Sequence, residues 1–151
     1  LVVSKGSGAF LVQRPTTNFY ALMQKLGEVG LDGYTPLAAG IYEGFRVASL
    51  EKKRGYTPVL LVISDGNANV PLLRVLSEES LLSPRDLALE SVFAVARMLA
   101  RSGIKSIFLN TRHVELEEGR ESLFYLAGTQ VMKEAARIAR GTYLGIARES
   151  E

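Results

Sequence analysis

The chain has 151 residues, of which 47% are hydrophobic and 23% charged, a length and balance that fit one domain with a buried core. Its 18 basic and 16 acidic residues leave a net charge of +2, too even to argue for a nucleic-acid partner. The absence of cysteine excludes disulfides and thiolate metal sites and fits a reducing, cytoplasmic compartment, and no run approaches the length of a membrane span.

Leu1-Val2-Val3 and Ala9-Phe10-Leu11-Val12 are short apolar runs around Ser4-Lys5-Gly6-Ser7-Gly8, which predicts an antiparallel hairpin. Arg14-Pro15-Thr16-Thr17 breaks the second strand and offers hydroxyl caps. Phe19, Leu22, Met23 and Leu26 then recur at helical spacing and predict a short amphipathic helix. After the loop Gly27 to Gly33, Thr35-Pro36 places a hydroxyl at the N-cap and proline at the first helical position. Leu37, Ile41, Phe45 and Ala48 form the buried stripe of that helix. Gly40 and Gly44 share a face and predict close packing there. The basic run Lys52-Lys53-Arg54 reads as its C-terminus, complementing the dipole.

Val59 to Ile63 is a continuous apolar run that ends on Ser64-Asp65-Gly66. It reads as a strand buried on both faces in the middle of a parallel sheet. Asn67 to Glu79 reads as a loop with some short helix. Ser83-Pro84-Arg85-Asp86 caps a long helix through Arg101, with Leu87, Val92, Val95, Ala96 and Leu99 inward and Gly103 as the stop. Ile104 to Leu109 is the next strand, followed by Asn110-Thr111 and a charged loop from Arg112 to Arg120. A helix with Val131, Ala135, Ile138 and Ala139 on one side closes at Gly141, and Thr142 to Ile146 is the last strand. Strands alternating with helices predict an α/β fold: a doubly wound, mostly parallel sheet with helices on both faces and the N-terminal hairpin as an antiparallel edge.

The chemical signal sits at two places. Asp65 ends a buried strand, where open α/β sheets carry ligands and where a carboxylate needs a cation, donors or water. Thr35 opens the helix after a glycine loop. Thr35 also serves as an N-cap and Asp65-Gly66 as a turn, so each has a purely structural reading. Asn67 and Asn69 shape the loop or support the site from behind. His113, the single histidine, reads as solvent-exposed; Glu115, Glu117 and Glu118 read as a solvated face, and Tyr143 as packing.

Gly33-Tyr34-Thr35-Pro36-Leu37-Ala38-Ala39-Gly40 together with Leu61-Val62-Ile63-Ser64-Asp65-Gly66-Asn67-Ala68-Asn69 resembles the von Willebrand factor A domain, the integrin I-like fold. The version in the D subunit of magnesium and cobalt chelatases is the nearest in pattern. Gly103-Ile104, Asn110-Thr111 and Ala139 to Leu144 extend the similarity nearly end to end. The resemblance implies a Mg²⁺ or other divalent cation at a metal-ion-dependent adhesion site, with Thr35 and Asp65 among its ligands and a partner carboxylate completing it. The family's Asp-x-Ser-x-Ser loop, on its first strand, occurs nowhere in the chain. The resemblance therefore implies that a strand and crossover helix of roughly 30 residues belong before Leu1, and that the site is incomplete here. Oligomerisation or exchange of that strand with a partner follows as an expectation.

The implied function is that of a non-catalytic protein-binding module within a tetrapyrrole metal chelatase, whose other parts are an ATPase ring and a large catalytic subunit. No Gly-x-x-x-x-Gly-Lys-Ser/Thr loop is present, so no ATP hydrolysis is expected of these residues. The alternatives are an A domain of another adhesion or ATPase-associated, co-chaperone-like protein, and an α/β hydrolase or phosphatase using Asp65. The last requires a second catalytic acid or lysine near the strand ends, and the sequence offers no convincing candidate.

Overall fold

The structure, a computed structural model, describes residues 1–29, 34–76, 83–113 and 122–147, with side chains from residue 127 onward in the last stretch. In chain order the elements are β1 (Val2–Lys5), β2 (Gly8–Leu11), α1 (Phe19–Gly27), α2 (Leu37–Lys53), β3 (Val59–Ser64), a 3-10 turn (Leu73–Val75), α3 (Pro84–Ser102), β4 (Lys105–His113), α4 (Ser122–Ala139) and β5 (Thr142–Ala147). β3, β4 and β5 form a parallel sheet in that order, and β1 and β2 form a separate antiparallel hairpin. The arrangement is a Rossmann-like α/β fold, as the alternation of strands and helices requires.

Local chemistry explains several boundaries. Ser83 Oγ accepts from Asp86 N at 3.2 Å, Pro84 takes the first helical position, and Gly103 ends α3 at φ +69°, where L side chains are strained. Lys52 Nζ donates to the Ser102 carbonyl at 2.7 Å, so the basic end of α2 also satisfies the C-terminus of α3. Gly40 and Gly44 do mark close packing. A Cβ at Gly40 would lie 3.0 Å from Ser4 Cβ, and one at Gly44 would lie 2.7 Å from Leu60 Cδ1.

The register sorts the sheet into two unlike faces. Leu60 faces the same way as Ser106, and Val62 the same way as Phe108 and Tyr143. This face packs on α2 and α4, with α3 lying against both helices, and it holds the core around Val62, Phe108, Val92, Val95, Leu99 and Met132. The opposite face carries Val59, Leu61, Ile63, Leu144 and Ile146, each about half exposed.

Two expectations are thereby corrected. Among the described residues β3 is an edge strand of its sheet with one open face, and not a central strand buried on both. Among the described residues, the helices that pack on this sheet lie on a single face. A run of Val, Leu and Ile reads the same in either setting, because the pattern shows which residues are apolar and not what covers them.

Two further corrections are local. α1 is capped by Asn18, whose Oδ1 accepts from Ala21 N at 3.1 Å, and no α1 residue is fully buried, Phe19 being 65% exposed. α2 begins at Leu37 behind Pro36 and has no side-chain cap, so Thr35 does not fill that role. No helix of the described residues is long and apolar enough to cross a membrane.

Candidate functional site

Asp65 follows the last residue of β3, at the C-terminal rim of the parallel sheet. Its Oδ1 accepts from Asn67 N at 3.1 Å, and Ser64 Oγ accepts from Gly66 N at 3.0 Å. Both are short side-chain turns that bend the chain off the strand. Gly66 adopts φ +82°, and a Cβ there would sit 2.0 Å from the Gly128 carbonyl oxygen. A Cβ on Gly128 would sit 2.1 Å from the Asp65 carbonyl oxygen. The loop after β3 is thus seated backbone to backbone on α4, which only glycine at both positions permits.

Thr35 reaches the same loop from α2. Its amide donates to Asn69 Oδ1 at 2.7 Å, and its carbonyl accepts from Asn69 N at 3.3 Å and from Leu37 N at 2.9 Å. The loops bearing Thr35 and Asp65 are therefore one hydrogen-bonded unit at one rim. Thr35 Oγ1 makes no hydrogen bond among the described residues, and the second carboxylate oxygen of Asp65 is likewise uncommitted. Both side chains are half-buried. Gly33 lies outside the described residues, as do Glu115, Glu117 and Glu118.

Two oxygen donors, one of them anionic, suit a hard cation such as Mg²⁺. Such an ion takes six oxygens in near-octahedral geometry and keeps several waters. Among the described residues no group of three or more His, Asp or Glu side chains stands close enough to hold a metal by itself. The donor set fits a hydrated ion completed from outside the described residues and does not fit a closed protein cage.

Behind the rim lies a polar network that the sequence did not announce. Asn110, fully buried, donates through Nδ2 to Thr129 Oγ1 at 3.0 Å and Tyr143 Oη at 3.2 Å, and its Oδ1 accepts from Arg112 N at 2.9 Å. His113 Nδ1 lies 2.6 Å from Tyr143 Oη. This corrects the exposed-loop reading of His113, which is the last residue of β4, half-buried and hydrogen-bonded. β4 continues four residues past Leu109 because β5 pairs with it as far as His113 and Ala147. Tyr143 does pack on the core, as read from the sequence, and it also supplies a hydroxyl to the network. Thr129 joins this network one residue after Gly128. The polar cluster and the Asp65 loop therefore share one stretch of α4. Gly128 was the one available signal, because a glycine inside a helix costs about 1 kcal/mol and so points to close approach.

The fold and rim define a class, an α/β domain with oxygen donors from two loops at the C-terminal edge of a parallel sheet. No family model matches the chain. It is similar to the magnesium-chelatase 67 kDa subunit of Chlorobaculum parvum, with 27% identity over 120 residues, covering 79% of this chain and 19% of that protein. It is also similar to the magnesium-chelatase 60 kDa subunits of Rhodobacter capsulatus, 27% identical over 111 residues, and Cereibacter sphaeroides, 28% identical over 111 residues, each covering 74% of this chain. The chain spans about a fifth of the length of these relatives.

Proposed function

We propose that these residues form a metal-dependent protein-binding module of a magnesium-chelatase-like assembly acting on tetrapyrroles. In this reading Thr35 Oγ1 and Asp65 hold a hydrated divalent cation, Mg²⁺ or an equivalent, at a von Willebrand factor A-type site. A carboxylate from a partner subunit fills an open coordination position. One protein carboxylate leaves the ion with net positive charge, so it attracts an outside anion. The domain itself carries out no covalent step; its partners would be the ATPase ring and the large catalytic subunit of the complex.

The observation that carries the reading is the reciprocal pair of hydrogen bonds between Asn69 and Thr35, which ties the threonine to the loop of Asp65. The similarity to magnesium-chelatase subunits supports the choice of assembly. The test is partner binding by full-length protein in Mg²⁺ and in EDTA, with Thr35→Ala and Asp65→Ala beside the parent. The expected result is binding that needs Mg²⁺ and is weakened by both variants with folding unchanged. Equal binding in EDTA and Mg²⁺ overturns it.

A further inference from the structure

The loop after β3 meets α4 by contact alone. Gly66 and Gly128 pack backbone to backbone, so that a Cβ on either would collide with a carbonyl oxygen of the opposite segment. Asn67 Nδ2 is buried beside them, 3.1 Å from where a Cβ on Gly128 would stand, and has no hydrogen-bond partner among the described residues. Among those residues, no hydrogen bond joins 65–69 to α4. A steric seat of this kind pushes but does not pull. It holds the loop only as firmly as α4 itself is held.

What holds α4 differs along its length. Toward its C-terminus it faces the core through Val131, Met132, Ala135, Ala136 and Ala139, a mostly smooth apolar surface. Apolar contact is non-directional, so a helix can slide on such a surface by a fraction of an ångström at small cost. Thr129 is different. It is 1% exposed, and its Oγ1 accepts from Asn110 Nδ2 at 3.0 Å and donates to the Arg112 carbonyl at 3.5 Å. Asn110 is itself held by Tyr143 Oη and the Arg112 amide. One hydroxyl thus pins α4 to the end of β4, and hydrogen bonds are strict in distance and angle. The pin sits one residue from Gly128.

We infer that Thr129 is a positioning residue for Asp65. Its bond with Asn110 fixes how α4 lies against the end of β4, and Gly128 passes that placement to the Asp65 loop. Mg²⁺ accepts oxygens only near about 2.0–2.1 Å, so a loop displaced by about half an ångström loses its ligand distance. The effect on the cation rests on the reading of Thr35 and Asp65 as its ligands, whereas the effect on the loop does not.

Two readouts on full-length protein test this: amide hydrogen exchange of residues 65–69 in EDTA, and calorimetric titration with Mg²⁺ alone, with Asp65→Ala as the blank. Thr129→Val removes the hydroxyl at nearly constant shape, and Thr129→Ser keeps it. Ile104→Val, just before β4 at the opposite end of the sheet, controls for a plain loss of stability. Thr129→Val should speed exchange at 65–69 about fivefold or more and raise the Mg²⁺ needed for half-saturation about tenfold. Thr129→Ser should stay close to the parent in both. Ile104→Val should lower the melting temperature by a similar amount and move neither. If Thr129→Val does not fold, Thr129→Ala takes its place and is read the same way. Parent-like exchange in the hydroxyl-deleted variant, a serine variant that behaves like valine, or equal loosening by Ile104→Val would overturn the inference. Faster exchange with unchanged Mg²⁺ affinity would overturn its link to the cation. A parent that takes up no Mg²⁺ beyond the blank would remove the cation reading, and the exchange result would then decide the positioning of the loop.

Discussion

Asn69 holds Thr35 at both ends, its Oδ1 2.7 Å from the Thr35 amide nitrogen and its own amide 3.3 Å from the Thr35 carbonyl oxygen. An asparagine whose side chain and backbone grip the same residue 34 positions away closes a long loop and fixes where Thr35 stands relative to the strand end.

Asn69→Ala removes the acceptor and should cost about 1 kcal/mol of stability, since the bond lies at the surface. Asn69→Asp keeps the acceptor and should cost less. Urea denaturation of both variants checks the order; a less stable aspartate variant would contradict it.

Gly66→Ala and Gly128→Ala place a methyl group about 2 Å from a backbone carbonyl oxygen, which cannot move aside. Each should cost about 3 kcal/mol or more. Gly44→Ala meets only Leu60 Cδ1, the end of a side chain that can turn, and should cost about 1 kcal/mol or less. Chemical denaturation of the three separates backbone contact from side-chain contact.

Val62→Asp buries an unpaired carboxylate against the helices and should abolish folding. Leu61→Asp, one residue away on the open face, should shift stability by about 1 kcal/mol or less, because Leu61 is 51% exposed. Circular dichroism melts of the two test the assignment of faces directly; a Leu61→Asp chain as unfolded as Val62→Asp would show that face to be covered.

Tyr143→Phe deletes a hydroxyl that lies within hydrogen-bonding distance of both Asn110 and His113. A loss of about 1 to 3 kcal/mol is expected. A thermal melt checks it, and a parent-like melting temperature would place water at the Asn110 amide in the variant.

What the sequence decides by itself is what a few neighbouring residues can enforce. Ser83, Pro84 and Gly103 bound α3 because caps act within one turn, Gly6-Ser7 turns the hairpin, and the alternation of strand and helix compels a parallel sheet. Tertiary structure decided the rest. The apolar stripe of α1 has no fully buried residue among the described residues, His113 belongs to a strand that β5 extends, and Thr35 is held by Asn69 rather than capping its own helix. Most of all, the run Val59 to Ile63 became, among the described residues, an edge strand with one half-exposed face. Hydrophobicity is a property of each residue, whereas burial is a property of what lies across from it, and no local pattern contains the second.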